Sequence, residues 1–157
     1  MSPSRENHYY CDHILLISGS YCQLIGQKMA PSAWHSKQAH EFAEMIFNAP
    51  FALISHGTET EPVFNYANKT AMRLFNMGWD EITALPSKYS AEQPDREQRV
   101  ELLQEVKNRG FIENYAGVRI AKGGRRFYIE QATVWNLTDS AGAYYGQAAM
   151  FSDWRFL

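Results

Sequence analysis

The last third of the chain, from Phe111 onward, alternates apolar and polar residues through three segments that two turns separate. Alternation with a period of two is typical of strands that bury one face. The first turn contains Gly123-Gly124, because glycine adopts the positive φ angles of a tight hairpin, and the second runs from Asp139 to Gly142. The third segment runs from Tyr144 to about Trp154. The fold must therefore accommodate three long antiparallel strands.

The alternation also predicts which side chains share a face in the first two of these strands. The predicted apolar faces are Ile112, Ala116, Val118 and Ile120 in the first strand and Phe127, Ile129, Thr133 and Trp135 in the second. The amides of Asn114 and Gln131 lie on the same faces. A buried amide without a partner costs roughly 1–3 kcal/mol. Both amides are therefore candidates to bind a ligand, the alternative being that they hydrogen-bond the backbone or each other.

Two shorter apolar segments and a helix start lie further upstream. Residues Phe51 to Ser55 and Val63 to Ala67 can both be strands, and a polar loop joins them. Asn68 suits a helix N-cap, because its side-chain oxygen can accept a hydrogen bond from a free amide of the first turn. Two more strands, followed directly by a helix, are therefore predicted before the final three.

A later helix is predicted to end at Gly110, a residue that favours helix termination. Near its start, Ser90 and Gln93 match a capping box, and Pro94 suits a first helical position. The predicted buried side is Val100, Leu102, Leu103 and Val106, and the predicted solvent side is Arg96, Glu97, Arg99 and Lys107. This helix and the one after Asn68 can together cover one face of the sheet.

Two further helices are predicted before the first strand. In the first, apolar residues recur at spacings of three and four, so that they share one face. These residues are Ile14, Ile17, Tyr21 and Leu24. Pro31 ends this helix, and the second runs from about Ala33 to Phe47. The apolar stripe of the first helix needs a partner, which is either its own domain or a second copy of the chain in a homodimer.

Two strands, intervening helices and three closing strands resemble the layout of a PAS domain. Five separated strings carry a more specific resemblance: PFALISHG, PVFNYAN, LPSKYSAE, GFIENYAGVRIAKGGRRFYIEQATVWNL and YYGQAAMF. They resemble the MEKHLA domain, a PAS-related family found at the C-terminal end of plant homeodomain-leucine zipper regulators and as small free-standing bacterial proteins. The resemblance covers residues 36–157, and the chain looks like the free-standing bacterial type.

The resemblance implies an α+β fold, a PAS-like five-stranded antiparallel sheet with short helices across one face, preceded by two N-terminal helices. It divides the chain into an N-terminal helical extension, residues 1–35, and a PAS-like domain, residues 36–157. The implied function is a sensory or protein-interaction module that binds a small molecule between sheet and helices, with no catalysis of its own. The candidate pocket residues are His56, Asn65, Tyr66, Asn114, Gln131, Trp135 and Gln147.

The identity of a cofactor is not evident from the sequence. A cysteinyl-flavin adduct needs a cysteine in a central helix, whereas Cys11 and Cys22 lie far upstream. Non-covalent flavin binding stays open through three amides, Asn114, Gln131 and Gln147. Haem needs an axial ligand, usually a histidine of the middle helices, and residues 69–110 contain none. The histidines also lack a recognised metal-ligand spacing. Haem, the flavin adduct and a metal are therefore not expected.

Two alternatives from other functional classes stay open. A small cone-shaped enzyme of the ketosteroid-isomerase type would need a general base in its cavity, and the candidates Glu113 and Glu130 alternate with the apolar faces. A purely structural homodimerisation module would use the stripe of the first helix. A hydrolase is not predicted from Ser55-His56, because neighbours on a strand point to opposite faces and no G-x-S-x-G elbow occurs.

Composition argues against several classes of partner. A formal net charge of -2 gives no broad attraction to nucleic acid or to an anionic membrane. No apolar run approaches the roughly 20 residues of a membrane span, and the polar start does not resemble a signal peptide. Two cysteines are too few for a disulfide framework. We therefore expect a cytoplasmic homodimer with a small-molecule ligand and with neither nucleic acid nor a membrane as partner.

Overall fold

The computed structural model describes residues 1–157 apart from the side chains of Gln93 and Pro94, so the capping box with Ser90 and the role of Pro94 lie outside the described residues. The helices are α1 Cys11–Ile25, α2 Ser32–His35, α3 Ala39–Phe47, α4 Lys69–Phe75, α5 Trp79–Ile82 and α6 Gln93–Arg109. The strands are β1 Ala52–His56, β2 Phe64–Ala67, β3 Phe111–Ile120, β4 Arg126–Thr138, β5 Tyr144–Phe151 and β6 Asp153–Phe156. All five predicted strands are present.

The strands form one antiparallel sheet in the order β2-β1-β5-β4-β3. The early hairpin of β1 and β2 is therefore completed by β5, a strand that follows much later in the chain. β6 pairs with the first half of β4, where Glu130 faces Asp153, and β5 pairs with the second half, where Thr133 faces Met150. The register is the same in both halves. β5 and β6 together are thus the predicted third strand, interrupted at Ser152.

Two bulges interrupt the pairing of β3 with β4. One adds a residue to β3 opposite the segment 132–134, and the other adds a residue to β4 opposite the segment 115–117. Asn114 and Gln131 lie in them with φ angles of 58° and 53°. An extra residue reverses the side-chain alternation beyond it. The residues with positive φ in the two bulges, Asn114 and Gln131, are not glycines, so the bulges could not be placed from the sequence and the predicted faces are wrong where they intervene.

The corrected faces matter most for the residues proposed to bind a ligand. The side chains directed toward the middle helices are Phe127, Ile129, Ala132 and Val134 of β4 and Tyr115 and Arg119 of β3. Trp135 lies on the opposite face, in the core that α1 covers. Asn114 and Gln131 are exposed. Neither amide is therefore buried on an apolar face, because the bulges turn both side chains outward.

Helices cover both faces of the sheet. On one face, the middle helices α4 and α5 pack Phe75 and Ile82 against a core that includes Ile54 of β1. On the other face, α1 and α3 enclose a second core around Leu53 and Leu137. Neighbouring residues of β1 thus serve opposite cores, as a strand buried on both sides requires. The N-terminal helices form a second cover of the same sheet, while the domain boundary at residue 35 stays a prediction.

The predicted dimer stripe of α1 packs against the sheet of its own chain. Ile14 and Ile17 are fully buried, Tyr21 is buried and Leu24 is half-buried. The indole N–H of Trp135 donates a hydrogen bond of 3.1 Å to the carbonyl oxygen of Ile17. Of the two partners predicted for the stripe, the helix's own domain is the correct one. The prediction that these four residues form a dimer interface is therefore wrong, because three of them are buried within their own chain. A homodimer formed through another surface stays a prediction.

Candidate functional site

A groove of about 470 Å³ lies between the loop that joins β1 to β2 and the helix α6. Residues 57–62 form its loop side, and Arg99, Leu103 and Lys107 of α6 form its helix side. Gln147 of β5 also lines it. The groove therefore opens on the face of the sheet where the PAS-like layout predicts a ligand.

A smaller cavity of about 60 Å³ lies deeper, between the sheet and the middle helices. Its wall is mostly apolar and includes Phe75, Ile129 and Phe151. The residues that line both spaces are His56, Arg99, Leu103 and Gln147. We call these four the junction residues, because they stand where the groove meets the inner cavity.

His56, the last residue of β1, carries an unpartnered nitrogen at the junction. The residue is 7% exposed, and its Nδ1 lies 3.0 Å from the carbonyl oxygen of Gly57. A carbonyl only accepts, so Nδ1 carries the hydrogen and Nε2 is an acceptor. Among the described residues, Nε2 has no hydrogen-bond partner. Burial lowers the pKa of His56, and the bond to Gly57 and the nearby side chain of Gln147 offset this shift only in part, so the neutral ring is favoured. Gln147 lies close to the ring without the geometry of a hydrogen bond to Nε2.

Gln147 holds β5 and α6 together beside His56. Its amide nitrogen donates to the carbonyl oxygen of Leu103 at 2.9 Å and to Oδ1 of Asn136 at 3.2 Å. These two bonds use both amide hydrogens, so the neighbouring imidazole receives neither. The predicted pocket residue Gln147 thus lies at the site, where it positions α6 over the junction.

Arg99 is the junction residue that the sequence analysis placed on the wrong side of its helix. It is 7% exposed, and its Nη2 donates to Oγ of Ser87 at 2.7 Å. Burial, and secondarily the charge of Arg119, lower its pKa to about 10, so the guanidinium stays charged at neutral pH. The ion pairs found among the described residues do not include Arg99. A buried charge without a counter-charge is costly, which makes Arg99 the most unusual group in the site.

The helical spacing could have identified Arg99. It precedes three apolar residues, Leu102, Leu103 and Val106, by three, four and seven positions, which places all four on one face. Val100 was predicted to be buried and is instead 62% exposed. Arg99 was assigned to the solvent side because it is charged, although its spacing places it on the apolar face of the helix.

Arg119 of β3 contributes a second guanidinium to the inner cavity. Its Nη2 donates to the hydroxyl of Tyr115 at 2.9 Å, and its Nη1 donates to the carbonyl oxygen of Val118 at 2.8 Å. The alternation in the sequence predicted that Arg119 and Tyr115 lie opposite the apolar face of β3, whereas both line the cavity. Among its described lining residues there are two arginines and no carboxylate.

The other predicted pocket residues do not reach the junction. Asn65 is exposed on β2. Tyr66 and Trp135 lie in the core under α1, on the far face of the sheet. Asn114 and Gln131 project outward from their bulges, and Gln131 lines a separate groove. Only His56 and Gln147 of the predicted set therefore converge on the site.

Ser55 takes part in a hydrogen-bonded group on the far face of the sheet. Its Oγ donates to Oδ1 of Asn65 at 2.5 Å and lies 2.9 Å from Nε2 of His13. Since the hydroxyl hydrogen is directed to Asn65, the imidazole of His13 acts as the donor. A serine nucleophile needs the opposite arrangement, in which the base accepts the hydroxyl proton. This group links α1 to the first hairpin, and His56 points away from it as predicted.

The carboxylates considered for an isomerase lie outside the cavity. Glu113 is exposed. Glu130 lies on the surface and pairs with Arg155 at 3.5 Å. Neither lines the groove or the inner cavity among the described residues. The geometry that a general base would need is therefore not provided by these two residues.

The residues considered for flavin are not brought together. Asn114 and Gln131 are exposed in their bulges, while Gln147 lies at the junction. Cys11 and Cys22 lie on α1, which covers the other face of the sheet. This arrangement does not fit the flavin site predicted from the three amides. Within the described part of the chain, no cluster of metal-binding side chains occurs, and no helix is long and apolar enough to cross a membrane.

Tyr66 provides a stability test of the core beneath α1. Its buried hydroxyl has no hydrogen-bond partner among the described residues, although the ring packs near His13 and Trp79. We expect Tyr66→Phe to raise the free energy of unfolding by about 1 kcal/mol, because the hydroxyl lost its water partners without gaining others. Urea unfolding at pH 7 measures this change.

The matched control is Tyr145→Phe, which removes a hydroxyl that donates to Asp139 at 3.0 Å on an exposed part of β5. We expect this variant to lose at most about 0.5 kcal/mol. A Tyr66→Phe variant that is less stable than the unmodified chain would mean that the hydroxyl has a partner.

The sequence is similar to known proteins. A sequence model of the MEKHLA domain matches residues 11–156. The chain is also 26% identical over 100 residues to the homeobox-leucine zipper protein ATHB-14 of Arabidopsis thaliana, and the alignment covers 64% of this chain. It spans only 12% of the length of that plant protein.

Solved structures with similar folds include PAS and light-oxygen-voltage domains. A PAS domain from Colwellia psychrerythraea matches with a TM-score of 0.61 and 15% identity, covering 73% of this chain and 92% of its own. A light-oxygen-voltage domain studied with a flavin analogue matches with a TM-score of 0.59 and 13% identity, covering 73% of this chain and 83% of its own. At these identities the likeness shows the fold, so the PAS-like prediction is confirmed.

Proposed function

This chain belongs to the MEKHLA domain family and has the fold of PAS-like sensory domains, and we propose that it senses a small molecule bound between its sheet and α6, without catalysis of its own. The observation that carries the proposal is the junction, where a groove of about 470 Å³ meets a smaller, mostly apolar cavity. Nε2 of His56, an acceptor that has no hydrogen-bond partner among the described residues, lies there. Buried polar groups normally have partners, so this atom is suited to a ligand.

A ligand at the junction would touch elements that can carry a signal. His56 belongs to β1 and Arg99 to α6, and Gln147 of β5 is already bonded to the α6 carbonyl of Leu103. Among the described side chains of α6, Arg99 and Val106 are buried and Leu102 and Leu103 are half-buried, so the polar contacts of the junction contribute to its docking. A ligand that changes those contacts changes the balance between docked and undocked α6.

The proposal also includes three features that the site does not address. A homodimer, a protein-interaction role and a cytoplasmic location are inferred from the sequence and the family. The plant relative is a homeobox-leucine zipper protein by name, and a regulatory role for this chain is part of the same proposal.

Native mass spectrometry of the protein, purified without denaturation, tests the sensing proposal. We expect an added mass that is lost on unfolding. Ala149 lines the inner cavity, so Ala149→Leu should fill that space and reduce the bound fraction. Ala141→Leu is the control, because it makes the same change in an exposed turn. Preparations of the unmodified chain that carry no added mass would contradict ligand binding, and an equal bound fraction in Ala149→Leu and Ala141→Leu would contradict its location in the inner cavity.

A further inference from the structure

From the charges at the junction we infer that the ligand is a small organic anion, whose carboxylate or phosphate group pairs with Arg99 while its apolar body lies against the inner cavity. This inference rests on the proposed function and specifies the chemical class of the ligand. It begins with the two guanidinium groups, Arg99 and Arg119, that line one largely apolar space.

The carboxylates that lie closest to the site are already engaged. Glu61 pairs with Lys88 at 2.7 Å on the rim of the groove. Oε1 of Glu59 accepts the backbone amide of Val63 at 3.1 Å, which holds the β1–β2 loop in shape. The only hydrogen bond of Arg99 among the described residues is to the neutral hydroxyl of Ser87. The counter-charge that a buried guanidinium calls for is therefore not supplied from within the described chain.

Arginine is well suited to this role. The planar guanidinium presents several N–H donors that match the oxygens of a carboxylate or phosphate, and such charge-assisted bonds are stronger than neutral ones. Lys107 adds a third positive charge at the groove, where its Nζ lies 5.3 Å from the centre of the Tyr144 ring. The groove lining carries three positive side chains, Lys88, Arg99 and Lys107, and two carboxylates, Glu59 and Glu61, which leaves a small excess of positive charge on the path to Arg99.

His56 specifies a second feature of the ligand. Its Nε2 is an acceptor, so a hydroxyl or N–H group on the ligand can donate to it. The cavity wall formed by Phe75, Ile129 and Phe151 favours an apolar body. The junction therefore suits a compact apolar molecule that carries one anionic group and one donor.

The inference is tested with aromatic probes that carry no hydrogen-bond donor and differ in charge. Benzoate and phenyl phosphate are the anionic probes, and methyl benzoate is the neutral one, each titrated at constant ionic strength while backbone amide resonances are followed by NMR. We expect an anionic probe to shift the resonances of the junction residues and to bind at least about tenfold more tightly than methyl benzoate. The two anions distinguish a carboxylate site from a phosphate site.

A pair of variants on α6 connects the binding to one side chain. Arg99→Met removes the buried charge but keeps an apolar side chain of similar length, and we expect it to lose the preference for anions. Because it also removes an unpaired charge, the variant should be at least as stable as the unmodified chain without ligand. Arg109→Met is the control, since Arg109 is exposed on the same helix and pairs with Glu105 at 2.7 Å.

The outcomes separate this inference from the proposed function. If methyl benzoate binds as tightly as benzoate, or if Arg99→Met keeps the anion preference, the ligand site stands and its anionic character is wrong. If no probe shifts the junction and native mass spectrometry shows a neutral bound molecule, the anionic inference alone fails. If no probe shifts the junction and nothing is bound, both fail. An anionic bound molecule that Arg99→Met releases and Arg109→Met retains supports both.

Discussion

Asn68→Asp is expected to destabilise the protein by about 4 kcal/mol, although the two side chains have nearly the same shape. Asn68 is fully buried. Its Nδ2 donates to the carbonyl oxygens of Ile46 and Phe51, and its Oδ1 accepts the amides of Leu53 and Ala71. A carboxylate would keep the two accepted bonds but would face two carbonyl oxygens with negative charge. Chemical denaturation at pH 7 measures the loss.

Two further measurements distinguish this cause from a general loss of helix capping. Protonation of the introduced carboxyl restores one donor, so its pKa should be raised in the folded protein and part of the lost stability should return as the pH falls. Asn48→Asp is the control, because Asn48 is exposed and its Nδ2 donates one bond to the carbonyl oxygen of Glu44. Equal losses for the two variants would refute the assigned role of Asn68.

Gly146→Ala is expected to cost at least about 3 kcal/mol, or to prevent stable folding. Gly146 has a φ angle of 126°, a conformation that side chains disfavour. A β-carbon placed there would lie 1.9 Å from the carbonyl oxygen of His56, so β1 and β5 would have to separate beside the junction. Thermal unfolding and the amide spectrum of the junction residues report both effects.

The control for this variant is Gly142→Ala in the turn before β5. Gly142 also has a positive φ angle, 85°, but a β-carbon there meets nothing within 4 Å. Only the backbone strain then applies, and a loss of about 1 kcal/mol is expected. If both variants lose the same amount, the close approach of β5 to His56 has no energetic consequence.

Asn68 shows how far a local pattern can be read. Its capping of α4 was predicted because the accepting oxygen and the donating amide of Ala71 are three residues apart in the chain. Its bonds to Ile46 and Phe51 join it to the end of α3 and the start of β1, and these contacts exist only once the elements have packed. The cap could be predicted, whereas the fourfold satisfaction of the amide could not.

At the site, too, some residues could be predicted from the sequence and others could not. His56 and Gln147 were identified from the family resemblance, and both lie at the junction. Arg99 could have been recognised from its helical spacing with Leu103, although burial of an unpaired charge argues against such a reading. Asn114 and Gln131 were misplaced because the two bulges reverse the alternation on which their assignment depended.

The sequence by itself determined the succession of the five strands along the chain, the start of α4 after Asn68 and the hairpin at Gly123-Gly124, because each depends on residues that are near one another in the chain. Only the tertiary structure decided which face of the sheet each side chain occupies and which polar groups lack partners. Those properties depend on the register of β3 against β4 and on the docking of α6 over β1 and β5. Pairing between distant segments leaves no signature in the local sequence, so the convergence of His56, Arg99 and Gln147 appears only in the folded chain.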